Sequence, residues 1–210
     1  LVLLDGVYTQ MFESSAKEID FTDTQRKIVN DDFSWDAVGG FPSNWYCEAD
    51  SDVSVKNDDE NNYVSIDKTA SDGQVNLVKY FPPIANKFSF EVSMMSEQVG
   101  GTKVGPDLKT GVFRDNSSVI KMQMSNGAIY TTDGSASVKL CDFTAGKWYK
   151  IRLDIDLDIG IYDVYIDDVL VMVSCSVNGN IYSGHIGQVR FGMASGQTGN
   201  ISIDDVAVYN

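Results

Sequence analysis

The chain has 210 residues, a length that fits one large domain or one domain with a short appendage. Its 16 lysines and arginines are outnumbered by 30 aspartates and glutamates, which gives a formal net charge of -14 at pH 7. Because this charge repels phosphate groups, the composition predicts neither nucleic acid nor an anionic membrane surface as a partner.

The first 27 residues differ in pattern from the rest of the chain. Leu1–Tyr8 is compatible with a strand, and Thr22 and Gln25 have the spacing of a helix capping box. We predict that residues 1–27 are an N-terminal extension or the tail of a preceding domain. The alternative is an edge strand of the domain that follows.

From Asn30 onward, apolar residues recur at every second position. In residues 88–95, for example, Phe88, Phe90, Val92 and Met94 alternate with other side chains. The same alternation recurs in the runs 120–125, 151–159, 162–167 and 188–193. Since successive strand residues point to opposite faces of a sheet, each run predicts a strand with one face in a core.

Clusters of turn-forming residues separate these runs, and Asn126-Gly127 is the strongest hairpin signal among them. Many short strands without a long helical pattern are typical of a β-sandwich or jelly roll. The predicted fold class is therefore all-β, an antiparallel β-sandwich.

Several segments resemble one family of such sandwiches. They are the opening Asn30–Phe33 and Gly40–Trp45, the predicted hairpin formed by Ala145–Leu153 and Tyr162–Val171, and the closing Ile201–Tyr209. Together they resemble the concanavalin A-like (laminin G-like) jelly rolls that are attached to bacterial polysaccharide-degrading enzymes. The resemblance covers about residues 28–210 and is specific for the fold rather than for an activity.

The resemblance implies a non-catalytic carbohydrate-binding or accessory module of a bacterial protein that degrades polysaccharides or acts as an adhesin. It further implies a secreted or cell-surface location, a polysaccharide or oligosaccharide as ligand, and other domains of the same polypeptide as partners. The negative net charge favours neutral glycans over pectin or alginate, unless calcium bridges the two.

Sugars are bound by flat aromatic faces and planar polar side chains. Trp35 directly follows the opening motif between two polar residues and is predicted to be an exposed platform. Polar residues at the non-core positions of the strands are further candidates, namely Glu91, Arg114, Lys121, Gln123, Tyr165, Gln188 and Arg190. The alternative is that they form an ordinary solvated face of a sheet.

A structural calcium site is predicted where the ends of the domain meet. In related jelly rolls the first and last strands are neighbours, which would place Asp31 or Asp32 near Asp204 or Asp205. Carboxylates are favoured calcium ligands. The alternative is that these aspartates only cap turns at the surface.

Two other classes of function remain open. One is a glycan-cleaving enzyme. It could be a lyase that uses His185, Gln188 and Arg190. It could also be a hydrolase, because Glu18–Asp23 nearly matches the Glu-x-Asp-x-x-Glu motif of such enzymes. The other is a spacer or adhesin domain that binds no sugar.

Overall fold

The computed structural model describes residues 26–47, 52–58, 61–111, 117–178 and 185–210. These residues form two antiparallel sheets and no α-helix, so the described part of the chain contains no helix that could span a membrane. The predicted extension, apart from Arg26 and Lys27, lies outside the described residues.

Eight strands form the first sheet, which we call sheet A. They are β1 (Lys27–Asp31), β3 (Val53–Asn57), β4 (Asn62–Lys68), β6 (Lys87–Met95), β11 (Tyr149–Asp156), β12 (Ile161–Ile166), β13 (Val169–Ser176) and β15 (Gly199–Tyr209). Their order is β13-β12-β11-β6-β15-β4-β3, and β1 pairs with the last residues of β15.

Seven strands form the second sheet, sheet B. They are β2 (Tyr46–Cys47), β5 (Val75–Ile84), β7 (Thr102–Lys109), β8 (Ser118–Ser125), β9 (Ala128–Asp133), β10 (Ala136–Asp142) and β14 (Ile186–Met193). Their order is β10-β9-β8-β7-β14-β5-β2. Every strand pairing in both sheets is antiparallel, so the predicted antiparallel sandwich is confirmed.

The core lies between the two sheets and contains the residues that alternate in the sequence. In β6 the side chains of Phe88, Phe90, Val92 and Met94 are buried, and the intervening positions face outward. Burial of apolar area is the main force that holds the two layers together. The two-residue hydrophobic period thus decides which face of each strand is inside.

Polar contacts connect the sheets at several points, two of which involve buried or mostly buried side chains. The hydroxyl of Tyr162 in sheet A lies 2.8 Å from the hydroxyl of Thr131 in sheet B, and both side chains are buried. At the other point, Asp31 of β1 pairs with Lys79 of β5. Both contacts satisfy polar groups that burial would otherwise leave without a partner.

The first and last described strands are neighbours, as the sequence predicts. β1 runs antiparallel to β15, with Asp31 opposite Val206. The backbone N–H of Arg26 also donates to the carbonyl of Asn210 at 2.9 Å. The strand ends therefore lie at the place where the calcium site is predicted.

The hairpin turn predicted at Asn126-Gly127 joins β8 to β9 and is confirmed. Asn126 has φ 48° and Gly127 has φ 78°. Two consecutive residues with positive φ are the requirement of the type I′ turn, which matches the twist of the flanking strands.

Candidate functional site

A polar surface covers the outer face of the three central strands of sheet B, β8, β7 and β14. Residues directly opposite each other in an antiparallel pair point to the same side. Asp107 lies opposite both Arg190 and Lys121, while Lys109 lies opposite Gln188. Gln123 completes what we call the central polar surface, in which Lys121, Gln123 and Arg190 are partly exposed and Asp107, Lys109 and Gln188 are buried.

Asp107 and Arg190 form the centre of this surface. The carboxylate of Asp107 has no exposed area, and its Oδ2 is 2.5 Å from Nη2 of Arg190. The hydroxyl of Ser118 donates to the other carboxylate oxygen. A charge-assisted hydrogen bond of this kind fixes the guanidinium, so Arg190 is held in one orientation before any ligand arrives.

Arg190 keeps part of its hydrogen-bonding capacity. Its Nε is buried and has no hydrogen-bond partner among the described residues. The Arg190 side chain as a whole is nonetheless 26% exposed to solvent. A guanidinium that is positioned by one carboxylate and still has free N–H groups can donate hydrogen bonds to a second acceptor.

The electrostatics of this surface differ from those of the whole chain. Lys109, Lys121 and Arg190 supply three cations, whereas Asp107 is the one carboxylate among the described outward-facing residues of the three strands. Burial lowers the pKa of the Lys109 amine, and the nearby charge of Arg190 lowers it further. The protein with a net charge of -14 thus carries a locally positive surface here.

Tyrosines flank the central polar surface on both sides. On one side, Tyr80 of β5 lies opposite Gln188 and is 59% exposed, and Tyr46 of β2 is also exposed. On the other side, Tyr130 of β9 lies opposite Gln123. The phenol rings offer apolar faces next to hydrogen-bonding groups, which is the combination that a sugar requires.

The predicted binding residues divide among three places. Lys121, Gln123, Gln188 and Arg190 lie together on the central polar surface. Arg114 lies outside the described residues, as does the near match at 18–23. Trp35 lies in the loop between β1 and β2 and is 98% exposed.

Glu91 and Tyr165 lie on the outer face of sheet A, on the opposite side of the sandwich. Glu91 accepts a hydrogen bond from the hydroxyl of Tyr209 at 2.7 Å, and the guanidinium of Arg152 stacks 3.8 Å from the ring of Tyr165. They therefore share no face with the four residues on sheet B. His185 comes immediately before β14, the strand that carries Gln188 and Arg190.

Sequence reasoning missed Asp107 and Lys109. Both lie in β7, where Gly105 and Pro106 interrupt the alternation and the pairing with β8 changes register between Val104 and Asp107. Since the period-two pattern breaks at this point, it assigns neither residue to a face. The one available signal was the acid followed two residues later by a lysine, which places both on one side of a strand.

The four aspartates of the predicted calcium site have different surroundings. Asp31 Oδ2 accepts hydrogen bonds from Lys79 Nζ and from Trp45 Nε1, each at 2.9 Å. Asp32 accepts from the backbone N–H of Ser34 at 3.1 Å, and its pKa is lowered by hydrogen bonds from the side chain and then the backbone of Ser34.

Asp204, by contrast, is buried. Its carboxylate accepts hydrogen bonds from the side-chain amide of Asn61 and from the backbone N–H of the exposed Asp205. Burial is the main cause that raises the pKa of Asp204 to about 6. Among the described residues no group of three or more His, Cys, Asp or Glu is placed to hold a metal ion. Calcium binding stays a prediction.

No family model matches the chain, and no curated protein matches it. Its fold, however, is similar to that of several solved structures. A sialidase superposes with a TM-score of 0.68 at 14% identity over 88% of this chain, but this chain spans only 18% of that protein. The cellulose induced protein Cip1 superposes with a TM-score of 0.60 at 14% identity, and the two chains are covered to 86% and 96%.

A third similar structure is the alginate lyase Aly36B in complex with an alginate trisaccharide. It superposes with a TM-score of 0.59 at 11% identity, over 86% of this chain and 96% of the lyase. At these identities the similarity shows the fold. The chain has the concanavalin A-like jelly-roll fold that the sequence motifs predict.

Proposed function

We propose that this protein is a non-catalytic carbohydrate-binding or accessory module. It belongs to a secreted or cell-surface bacterial protein that degrades polysaccharides or adheres to them. The glycan binds to the central polar surface. The observation that carries the proposal is the Arg190–Asp107 pair, which orients a guanidinium on an outward face with the exposed Tyr80 and Tyr46 on one side and the partly exposed Tyr130 on the other. The similar solved structures support the carbohydrate-related part of this proposal, because one is described as an alginate lyase in complex with an alginate trisaccharide and another as a cellulose induced protein.

The charge of this surface favours a glycan that carries carboxylates. Lys121 and Arg190 are partly exposed cations on the central strands, whereas Lys109 is buried, and Arg190 has N–H groups beyond the one that it donates to Asp107. The guanidinium of Arg190 and the amine of Lys121 can bind a uronate carboxylate through charge-assisted hydrogen bonds. The positive charge of this surface thus favours an acidic glycan, whereas the negative net charge of the whole chain favours a neutral one.

The test is a titration of the purified protein with oligogalacturonate, with oligomannuronate and with neutral cellohexaose, followed by calorimetry. We expect binding of a uronate oligomer that weakens as salt is added, because the contacts are ionic. Replacing Lys121→Gln should weaken this binding about tenfold, which corresponds to the loss of roughly one charged hydrogen bond.

Lys87→Gln is the matched control, since it removes a lysine from the outer face of sheet A, where the side chain is 73% exposed. Equal binding by the wild type and Lys121→Gln would overturn the assignment of the surface. Absence of binding to every uronate and neutral oligomer would favour a spacer or adhesin domain instead.

The enzymatic alternative is tested by analysing the same mixtures of protein and oligosaccharide for cleavage products. A lyase releases an unsaturated product that absorbs in the ultraviolet, and a hydrolase releases new reducing ends. If either product is formed by the wild type and not by Lys121→Gln, the protein is a glycan-cleaving enzyme and not a non-catalytic binding module.

A further inference from the structure

Trp35 lies on a loop whose backbone is fixed, although its own side chain is 98% exposed. The side-chain amide of Asn62 donates to the carbonyls of Phe33 and Asp36, each at 3.2 Å, so both sides of Trp35 are tied to β4. Phe33 itself is buried in the core. The indole is therefore held outward by a loop that has little freedom to fold it away.

A cleft of about 310 Å³ lies beside this tryptophan. It is of the size of small-ligand sites in proteins. The Asp31–Lys79 ion pair belongs to its lining, and both of these side chains are mostly buried, at 19% and 13% exposure. Asp36 and Asn44 add a carboxylate and an amide to the lining.

We propose that this cleft is a second carbohydrate site, separate from the central polar surface, which takes a neutral hexose unit of a polysaccharide against the face of Trp35. The proposal rests on the proposed function in one respect, namely that the protein binds carbohydrate. The indole supplies the flat apolar face against which the C–H face of a pyranose packs. The amide of Asn44 can donate and accept hydrogen bonds, and the carboxylates of the lining accept them, which gives the paired hydrogen bonds that sugar hydroxyls need.

The charge of the lining selects the class of sugar. Asp31, Asp32 and Asp36 contribute three carboxylates, against the single cation of Lys79. A uronate would therefore be repelled here, whereas it is attracted by the cations on sheet B. The two sites thus prefer different glycans, and this difference separates them experimentally.

The test uses cellohexaose, laminarihexaose and mannohexaose as neutral probes, with oligogalacturonate as the acidic probe. We expect at least one neutral oligomer to bind and to change the tryptophan fluorescence, because Trp35 is exposed, whereas Trp45 is buried and Trp148 is partly buried against Tyr63. Trp35→Ala should lower the affinity for that oligomer at least tenfold and remove the fluorescence change. Binding of oligogalacturonate should be unaffected by the same substitution.

Ile159→Ala is the matched control, since Ile159 is an exposed apolar residue (67%) in the turn between β11 and β12 of sheet A. The melting temperature of each variant shows that it is folded. Unchanged neutral-glycan binding in Trp35→Ala overturns the second site, and so does the absence of binding to all three neutral probes. Neither result bears on the sheet B surface, which fails if no uronate oligomer binds or if Lys121→Gln leaves uronate binding unchanged.

Discussion

Asp31 and Lys79 form an ion pair between the two sheets, with 2.9 Å from Oδ2 to Nζ. The same Oδ2 accepts the indole N–H of Trp45, and Lys79 Nζ lies 5.3 Å from the centre of the Trp45 ring. Trp45 in turn packs against Phe33 and Phe191 of the core. One carboxylate thus connects the first strand, the aromatic core and the opposite sheet.

Removing the cation from this pair should destabilise the protein. We expect Lys79→Met to lower the free energy of unfolding by about 2 kcal/mol, because Asp31 keeps its negative charge in a mostly buried place. Urea denaturation measures the change. The control is Lys56→Met, which breaks a longer (3.7 Å) and half-exposed pair with Asp67 and should cost less than about 0.5 kcal/mol. Similar losses in the two variants would contradict the structural role of the Asp31–Lys79 pair.

Gly192 is required by the close approach of two strands. A Cβ at this position would lie 1.9 Å from the carbonyl oxygen of Val75 in β5. We expect Gly192→Ala to cost about 3 kcal/mol, since the backbone of β14 must move to relieve the overlap. Gly100→Ala provides the comparison, because a Cβ there meets no atom within 4 Å. Its effect should stay within about 0.5 kcal/mol, and a large loss in that variant would refute the steric explanation.

The buried carboxyl of Asp204 should make stability depend on pH. Its pKa is raised to about 6 from the ordinary value of 3.8, so the folded state holds this proton over a range in which the unfolded state has lost it. Below pH 3.8 the carboxyl is protonated in both states and has no effect. As the pH rises from 4 to 6, the stability should fall by up to about 3 kcal/mol and then level off.

Unfolding measured at intervals across this range, in calcium-free buffer, checks the expectation. The variant Asp204→Asn cannot ionise and should lack this fall in stability. A parallel pH profile for the two proteins would show that Asp204 ionises normally in the folded state.

Calcium binding at the junction of β1 and β15 can be tested by thermal unfolding. A cation that binds only the folded protein raises the melting temperature, and a chelator reverses the increase. If the prediction from the sequence is right, Asp204→Asn should abolish the calcium-dependent increase. A melting temperature that is the same with calcium and with chelator would count against the site.

The sequence predicted the layers of the fold better than the composition of the site. Alternation in Phe88–Met94 identifies the buried face, because burial on one side of a strand is a local property of the pattern. The same alternation places Glu91 and Lys121 equally well at outward positions. It contains no information on which sheet each strand joins, so the separation of these two residues on opposite sides of the sandwich could not be predicted.

Non-local pairing also decides the charge of the candidate site. The cations of the central polar surface come from the consecutive strands β7 and β8 and from β14, which is separated from them in the sequence by the strands β9–β13 and joins them only in the sheet. A net charge of -14 gives no indication that three of the 16 basic residues gather on one face. The exposure of Trp35, in contrast, was predictable, because its polar neighbours Ser34 and Asp36 follow a motif that ends a strand.

The unequal charge of the two outer faces has a consequence for how the protein meets its ligand. On the outer face of sheet A, the carboxylates of Asp154, Asp156 and Glu91 are ion-paired with Arg152, Lys87 and Lys150, and Asp163 adds a further negative charge. The outer face of sheet B carries Lys121 and Arg190 with the single carboxylate of Asp107, so among the described strands it is the more positive of the two faces. A polyanionic fibre would exert a torque that turns sheet B towards it before contact, so that encounters are oriented rather than random. This rotation should weaken as dissolved ions shorten the Debye length, which is about 10 Å at 0.1 M salt.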